Sequence, residues 1–131
     1  MDPELERFIR DAYNAFVSND LDTLLQVFHE DAEYVNPPEA IEGGTRQGEA
    51  ELRSMWASMH DLFELDSVEL TELSEAPAGV FALARFRGRG RGGGVPVDVR
   101  QYHVLTLRDG RISRIAWFTE RDDALAAAGL A

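Results

Sequence analysis

The sequence predicts an α+β domain: a curved antiparallel sheet packed against three N-terminal helices, with a short helix at the C-terminal end. Three observations carry this reading. Apolar residues recur with the helical period of 3.6 as far as Leu62 and with a period of 2 from Phe63 onward. Helices grouped ahead of strands, rather than alternating with them, are the pattern of α+β folds. Arg108-Asp109-Gly110 is a tight hairpin signal between two of the strands.

Each element has its own cause. Leu5, Phe8, Ile9, Ala12, Tyr13, Phe16 and Val17 follow i, i+3, i+4 spacing, an amphipathic helix over 3–18 whose acidic first turn suits the helix dipole. Asn19-Asp20 breaks it, and Asp20 caps a second helix over 21–29 with Leu24, Leu25 and Phe28 on one face. Glu30-Asp31 ends that helix, and 32–36 reads as a short strand stopped by Pro37-Pro38. Residues 37–48 are loop by composition. Gly48 leads into a third helix over 49–62, with Leu52, Met55, Trp56 and Met59 forming a buried stripe. A meander of strands follows at 64–75, 79–89, 95–107 and 111–119, and a helix over 122–128 stops at Gly129, a left-handed cap. The arginine–glycine run from Arg87 to Gly94 is read as a flexible hairpin loop between two strands.

Composition narrows the function. The 131 residues make one domain, 1–131, with 44% apolar and 28% charged residues, enough for a real core. There is no cysteine, which excludes disulfides, thiolate zinc sites and thiol catalysis. No apolar run reaches the length of a membrane span, and the charged N-terminus is unlike a secretory signal, so a cytoplasmic protein is expected. Thirteen basic residues, all arginine, stand against 24 acidic ones, a net charge of −11 that repels nucleic acid and anionic membrane as partners. His29 and His60, near helix ends, are read as capping residues. No spacing suggests a metal site, a phosphate loop or a serine nucleophile, and no cofactor is expected.

Splitting each strand into its two faces locates a candidate site. In 95–107 one face reads Val95, Val97, Val99, Gln101, His103, Leu105, Leu107, so an amide and an imidazole sit side by side on an apolar face. Burying each without a partner costs about 1–3 kcal/mol, so partners, water or a ligand are expected there. Alternation alone does not choose a face for 79–89 (Phe81, Leu83, Arg85, Arg87 against Val80, Ala82, Ala84, Phe86) or for 111–119. One choice from each strand gathers Tyr34, Asn36, Arg85, Gln101, His103, Trp117 and Thr119 around one concavity, the usual form of a small-molecule site.

The chain also resembles the SnoaL-like family of the nuclear transport factor 2-like superfamily. The resemblance rests on Asn19 to Asp22, Phe28 to Ala32, Asn36-Pro37, Gly48, Leu107 to Ile112 and Arg121 to Leu130. It implies a cone with a pocket between curved sheet and helices, into which Tyr34, Asn36, Trp56, Met59, Phe63, Arg85 and Arg87 face, together with Gln101, His103, Ile115, Trp117 and Thr119. Two enzymes of the superfamily give residue-level tests. At the positions of the ketosteroid isomerase base, tyrosine and acid, this chain has Asn36, Ala12 and His103, which argues against that mechanism. Tyr34 and Asn36 match the water-holding pair of limonene epoxide hydrolase and Arg85 its central arginine, whereas Arg87 and Trp117 replace its two aspartates.

The expected function is a pocket protein for a small, largely apolar molecule. In the enzymatic form, of isomerase, hydrolase, dehydratase or cyclase type, His103 transfers a proton and Arg85 stabilises an anionic oxygen. Tyr34, Asn36 and Gln101 orient water or substrate, Trp56, Met59, Phe63 and Trp117 form the apolar wall, and Thr119 completes the lining. In the alternative form the same pocket binds or senses its ligand without catalysis, since no carboxylate is expected on the inner face. Tyr102, Val104, Ala116 and Phe118 make the outer sheet face apolar, and a homodimer through that face is expected.

Overall fold

Capping and period set the helices. In the computed structural model, which describes residues 1–131, α1 (Pro3–Val17) starts at Asp2, whose carboxylate accepts from the Leu5 amide at 3.3 Å, with Pro3 where its missing N–H costs nothing. Asp20 caps α2 (Leu21–Gln26) through the Thr23 amide, and α3 (Glu49–Leu62) follows Gly48, whose φ of 88° favours glycine. The strands are β1 (Phe28–Asn36), β2 (Gly44–Gln47), β3 (Phe63–Ala76), β4 (Gly79–Gly90), β5 (Pro96–Arg108) and β6 (Arg111–Phe118). The last helix, α4 (Arg121–Ala128), ends at Gly129 in the left-handed conformation, φ 80°.

The six strands form one curved, unclosed sheet in the order β2-β1-β6-β5-β4-β3. The meander from β3 to β6 is antiparallel, as is β1 with β2, but β1 lies parallel to β6. No hairpin joins β1 to β6, so nothing local dictates their relative direction. Irregularities between Leu65 and Ser67, Leu70 and Glu72, and Thr106 and Leu107 interrupt the ladder and bend it.

Three segments depart from the sequence reading, one of them the arginine–glycine run, whose Arg87–Gly90 continue β4 between β3 and β5 instead of looping. The second helix stops at Gln26 instead of 29, because Val27 accepts from the Ile112 amide at 2.8 Å and Phe28 pairs with Ile112, starting β1 four residues before Ala32. His29 therefore sits in a strand, its ring 2.5 Å from the Arg108 carbonyl, and caps no helix. The segment 37–48, expected to be loop, contains β2, whose Gly44–Gln47 backbone pairs with Asn36 back to Glu33.

Helices α1–α3 cover the concave face, where Ile9, Leu52, Trp56, Ala82, Leu105 and Ile112 belong to one core. The convex face carries α4. Ala124 and Ala128 bury Phe81 and Val104, and the Arg121 guanidinium lies over the Phe81 and Tyr102 rings while pairing with Glu72. This bears on the apolar residues from which pairing of two chains was expected. Val104 and Ala116 are each only 2% exposed within the single chain, and Tyr102 and Phe118 pack against the α4 cluster. Helix α4 thus covers part of that apolar face.

Curvature leaves little room at the β3–β4 crossing. A Cβ on Gly88 would stand 2.1 Å from the Glu64 carbonyl oxygen and 2.8 Å from the Leu65 Cα, both backbone atoms, whereas nothing lies within 4 Å at Gly92. Gly88→Ala is expected to destabilise the protein by about 1–3 kcal/mol and Gly92→Ala by less than about 0.5 kcal/mol, as read by urea unfolding.

Candidate functional site

Between the concave face and α1–α3 lies a cavity of about 240 Å3, lined by 24 residues of which 19 are hydrophobic. A lining of that kind selects hydrocarbon, and the volume is below the roughly 300–1,000 Å3 usual for drug-sized ligands, so only a compact molecule fits. Trp56, nearly fully buried, meets Phe28 and Tyr34 edge-on, at centroid distances of 5.2 and 6.1 Å. Met59 and Phe63, from the end of α3 and the start of β3, belong to the same wall.

The polar groups are arranged in pairs. The register Ala82↔His103 and Ala84↔Gln101 sets the alternate residues of β5 on the concave face, as the sequence pattern requires. His103 is 1% exposed. Its Nδ1 lies 2.5 Å from the Tyr13 hydroxyl on α1, and its Nε2 2.8 Å from Oε1 of Gln101. A carbonyl-type oxygen only accepts, so Nε2–H donates to Gln101 and the Tyr13 O–H donates to Nδ1. Burial pushes the His103 pKa down to about 3 and that of Tyr13 well up, so both partners of the bond are neutral at physiological pH. The Gln101 amide nitrogen makes no hydrogen bond within the protein, and Gln101 lines the cavity.

On β1 and β6 the Trp117 indole donates to Asn36 Oδ1 at 2.6 Å, and Asn36 Nδ2 donates to the Gly44 carbonyl at 3.2 Å and faces the Met55 sulfur at 3.3 Å. Asn36 is therefore occupied in joining β1, β2, α3 and β6. Tyr34 lines the cavity with its hydroxyl unbonded, and burial raises its pKa above the ordinary phenol value. At the mouth, Ile41 is 72% exposed, and Glu42 is held by Arg46 at 3.1 Å.

Several expected site residues move. Arg85 is not in the cavity: β4 turns Val80, Ala82, Ala84 and Phe86 inward, so Arg85 and Arg87 point to the convex side. There Arg85 grips Asp98 through Nε at 2.8 Å and Nη2 at 2.7 Å. Thr119 is exposed and lies beyond the end of β6, so strand alternation does not reach it. His103 sits where expected, but with both nitrogens engaged and its pKa depressed it does not exchange protons with a ligand near neutral pH. Asn36 is likewise not free to hold a water.

Three groups were not anticipated. Tyr13 reads as one more aromatic of a helix stripe, although a buried tyrosine, unlike phenylalanine, needs a partner for its hydroxyl. It stands one position after Ala12, where the isomerase comparison looked for a tyrosine. Glu42 falls in a segment with no periodicity. His60 is only 5% exposed and lines the cavity beside Phe16, its ring centroid 5.1 Å away, and its Nε2 is buried with no hydrogen-bond partner. Burial lowers its pKa. No three His, Asp or Glu side chains converge in a set able to hold a metal ion, and no helix is long and apolar enough to cross a membrane.

Fold and cavity together define a cone-shaped α+β domain with an apolar interior pocket. Residues 9–115 match the SnoaL-like domain, and the chain belongs to that family. Solved structures show the same fold. A candidate isomerase from Bacillus subtilis superposes with a TM-score of 0.77 at 19% identity, covering 95% of this chain and 92% of the other. A protein of ketosteroid isomerase-like fold from Catenulispora acidiphila DSM 44928, in complex with trimethylamine, gives 0.76 at 21% identity, covering 100% and 96%. A candidate polyketide cyclase from Xanthomonas campestris pv. campestris gives 0.71 at 20%, covering 93% and 94%. No curated protein matches the sequence.

Two outcomes follow from the Tyr13–His103 pair. Tyr13→Phe leaves Nδ1 buried and unpaired, and a loss of about 1–3 kcal/mol is expected in urea unfolding. The folded protein keeps His103 neutral while the unfolded chain takes up a proton below pH 6.5. The stability this group contributes is therefore complete above pH 6.5 and falls as pH drops towards 3, by about 1.4 kcal/mol per unit. In an NMR titration the His103 ring resonances are expected to stay fixed between pH 8 and 5.

Proposed function

We propose that this SnoaL-like domain encloses a compact, largely hydrocarbon, neutral molecule and recognises one oxygen on it through the Gln101 amide and the Tyr34 hydroxyl. The observation that carries this reading is the apolar cavity of about 240 Å3 into which a directed chain, Tyr13 to His103 to Gln101, ends on an unbonded amide donor. Each donor in the chain polarises the next, so the amide meets an acceptor more strongly than an isolated one. No charged group lies within this chain, and the cavity's single carboxylate, Glu42, is neutralised by Arg46, which favours a ligand without net charge. Structures of the same fold with trimethylamine or, for TerC, with polyporic acid support small organic molecules as the ligand class.

A second reading, acid–base catalysis on that ligand, is favoured by the same donors. Negative charge developing on the bound oxygen is stabilised by preorganised donors that have no need to reorient. His103 cannot serve as the base, for the reasons given above. Glu42 is the one carboxylate within the lining, and in this reading it abstracts the proton through the oxygen that Arg46 does not hold.

Trp56 and Trp117 both line the cavity, so intrinsic fluorescence reports occupancy. Titration with a panel of monocyclic ketones, acetophenone among them, is expected to give a saturable change that Gln101→Leu weakens about tenfold. Absence of saturation with every member of the panel defeats the reading. Exchange of a bound ketone's α-protons for solvent deuterium, the enolate being reprotonated at carbon, that Glu42→Gln abolishes while binding persists selects catalysis, and unexchanged ligand after prolonged incubation selects binding alone.

A further inference from the structure

The hydrogen-bond chain around His103 supplies one pole of the cavity. His60 is the lining group that the proposed function leaves unused. It comes from the last turn of α3, packs on Phe16 of α1, and is 95% buried, the complement of its 5% exposure. Among the side-chain nitrogens and oxygens fully closed off from solvent, His60 Nε2 alone has no partner. The Arg91 guanidinium does not serve it, since its Nε donates to the His60 backbone carbonyl at 2.6 Å. The remaining residues that frame this end, Phe16, Met59, Phe63 and Phe86, offer no oxygen or nitrogen on their side chains.

Phe86 separates the two poles. Its ring is 5.7 Å from Phe16, which borders His60, and 6.2 Å from His103. His60 on one side and Gln101 on the other thus line one apolar hollow.

We propose that His60 Nε2 is a second polar contact for the ligand, which therefore carries two oxygens: an acceptor met by Gln101 and Tyr34, and a hydroxyl met by His60. This inference rests on the cavity being a binding site and adds the class of molecule it takes, a compact hydroxy-ketone or diol on a hydrocarbon frame. A hydroxyl suits the position because it both donates and accepts, and so satisfies Nε2 whichever ring nitrogen carries the proton. A carboxylate is a poor occupant, since burial disfavours both its own charge and the imidazolium that would neutralise it. A ligand with a single oxygen leaves Nε2 as it is in the empty protein and gains nothing there.

The test compares acetophenone with its 2-, 3- and 4-hydroxy derivatives, titrated into the full chain with tryptophan fluorescence or calorimetry as readout. At least one hydroxy isomer is expected to bind wild type about tenfold more tightly than acetophenone. In His60→Leu that ratio is expected to collapse towards one. His60→Gln, which restores a donor and an acceptor at the site, recovers part of it and guards against a variant that fails for lack of folding, which thermal unfolding checks separately. Acetophenone binding with no preferred hydroxy isomer, or a preference that His60→Leu leaves intact, overturns this inference and spares the proposed function. Failure of all four compounds to bind wild type overturns this inference, and the proposed function falls with it only when the whole ketone panel fails as well.

Discussion

A buried hydrogen-bonding group without a partner is among the costlier defects a small domain can carry, at about 1–3 kcal/mol each, and this fold sets five polar side chains around an apolar hollow. How four of them are satisfied determines much of the architecture, His60 Nε2 being the exception. His103 is held between Tyr13 and Gln101, which ties α1 to β5 across the cavity. Asn36 is shared among Trp117, the Gly44 carbonyl and Met55, which ties the parallel pair β1–β6 to β2 and α3. Glu42 is closed off by Arg46 within the same short segment. A cone built only from hydrocarbon would collapse on itself. Here the pairs fix the distance between helices and sheet, and the space between them survives.

The sheet separates two problems by its faces. The concave side holds the cavity and needs curvature, which the irregularities in β3 and β5 provide. The convex side needs a cover, and α4 supplies it with alanines, whose small side chains let the helix lie close over Phe81 and Val104. On that side of the sheet the charge is organised by arginine forks: Arg121 on Glu72 and Arg85 on Asp98 place both guanidiniums outside the hollow. Surface pairs of this exposure contribute little stability each. Their consequence for function is spatial, because they keep arginine out of a cavity whose lining stays nearly free of charge.

Most of the fold was legible because period and punctuation agreed. The α1 stripe, the Asp20 cap, the four long strands and the Gly129 cap are each written by residues whose side chains act locally. β2 was not legible, since Gly44-Thr45-Arg46-Gln47 carries no apolar residue and owes its existence to backbone pairing with β1. The early start of β1 was hidden for a related reason: Leu24, Leu25 and Phe28 satisfy a helical face, and only contact with β6 decides otherwise. Within the site, the amide and imidazole of β5 were found from alternation alone. Arg85 was misplaced because the choice of face that gathers polar groups into one concavity, which the family resemblance reinforced, set aside a plainer cue. The other face of β4, Val80, Ala82, Ala84, Phe86, is wholly apolar, and the face with two arginines belongs outside. Tyr13 escaped because a hydroxyl on a helix stripe does not announce its partner, ninety residues away.

The direction of the proton chain decides what the cavity offers a ligand. With Tyr13 donating to Nδ1 and Nε2–H donating to Gln101, the amide oxygen is spent and the amide NH2 is left for an acceptor. Reversing the chain turns the amide over, exposes its oxygen, and makes Nδ1–H donate to the tyrosine, whose own proton then has no protein acceptor. That cost, of the order of one buried unpaired donor, biases the empty protein towards presenting NH2. Only a ligand that accepts from Tyr13 itself removes the bias, by giving the displaced proton a partner. The cavity is thus built to meet an acceptor first. The carbonyl specificity proposed for Gln101 originates a bond further back, in the neutrality that burial imposes on both His103 and Tyr13.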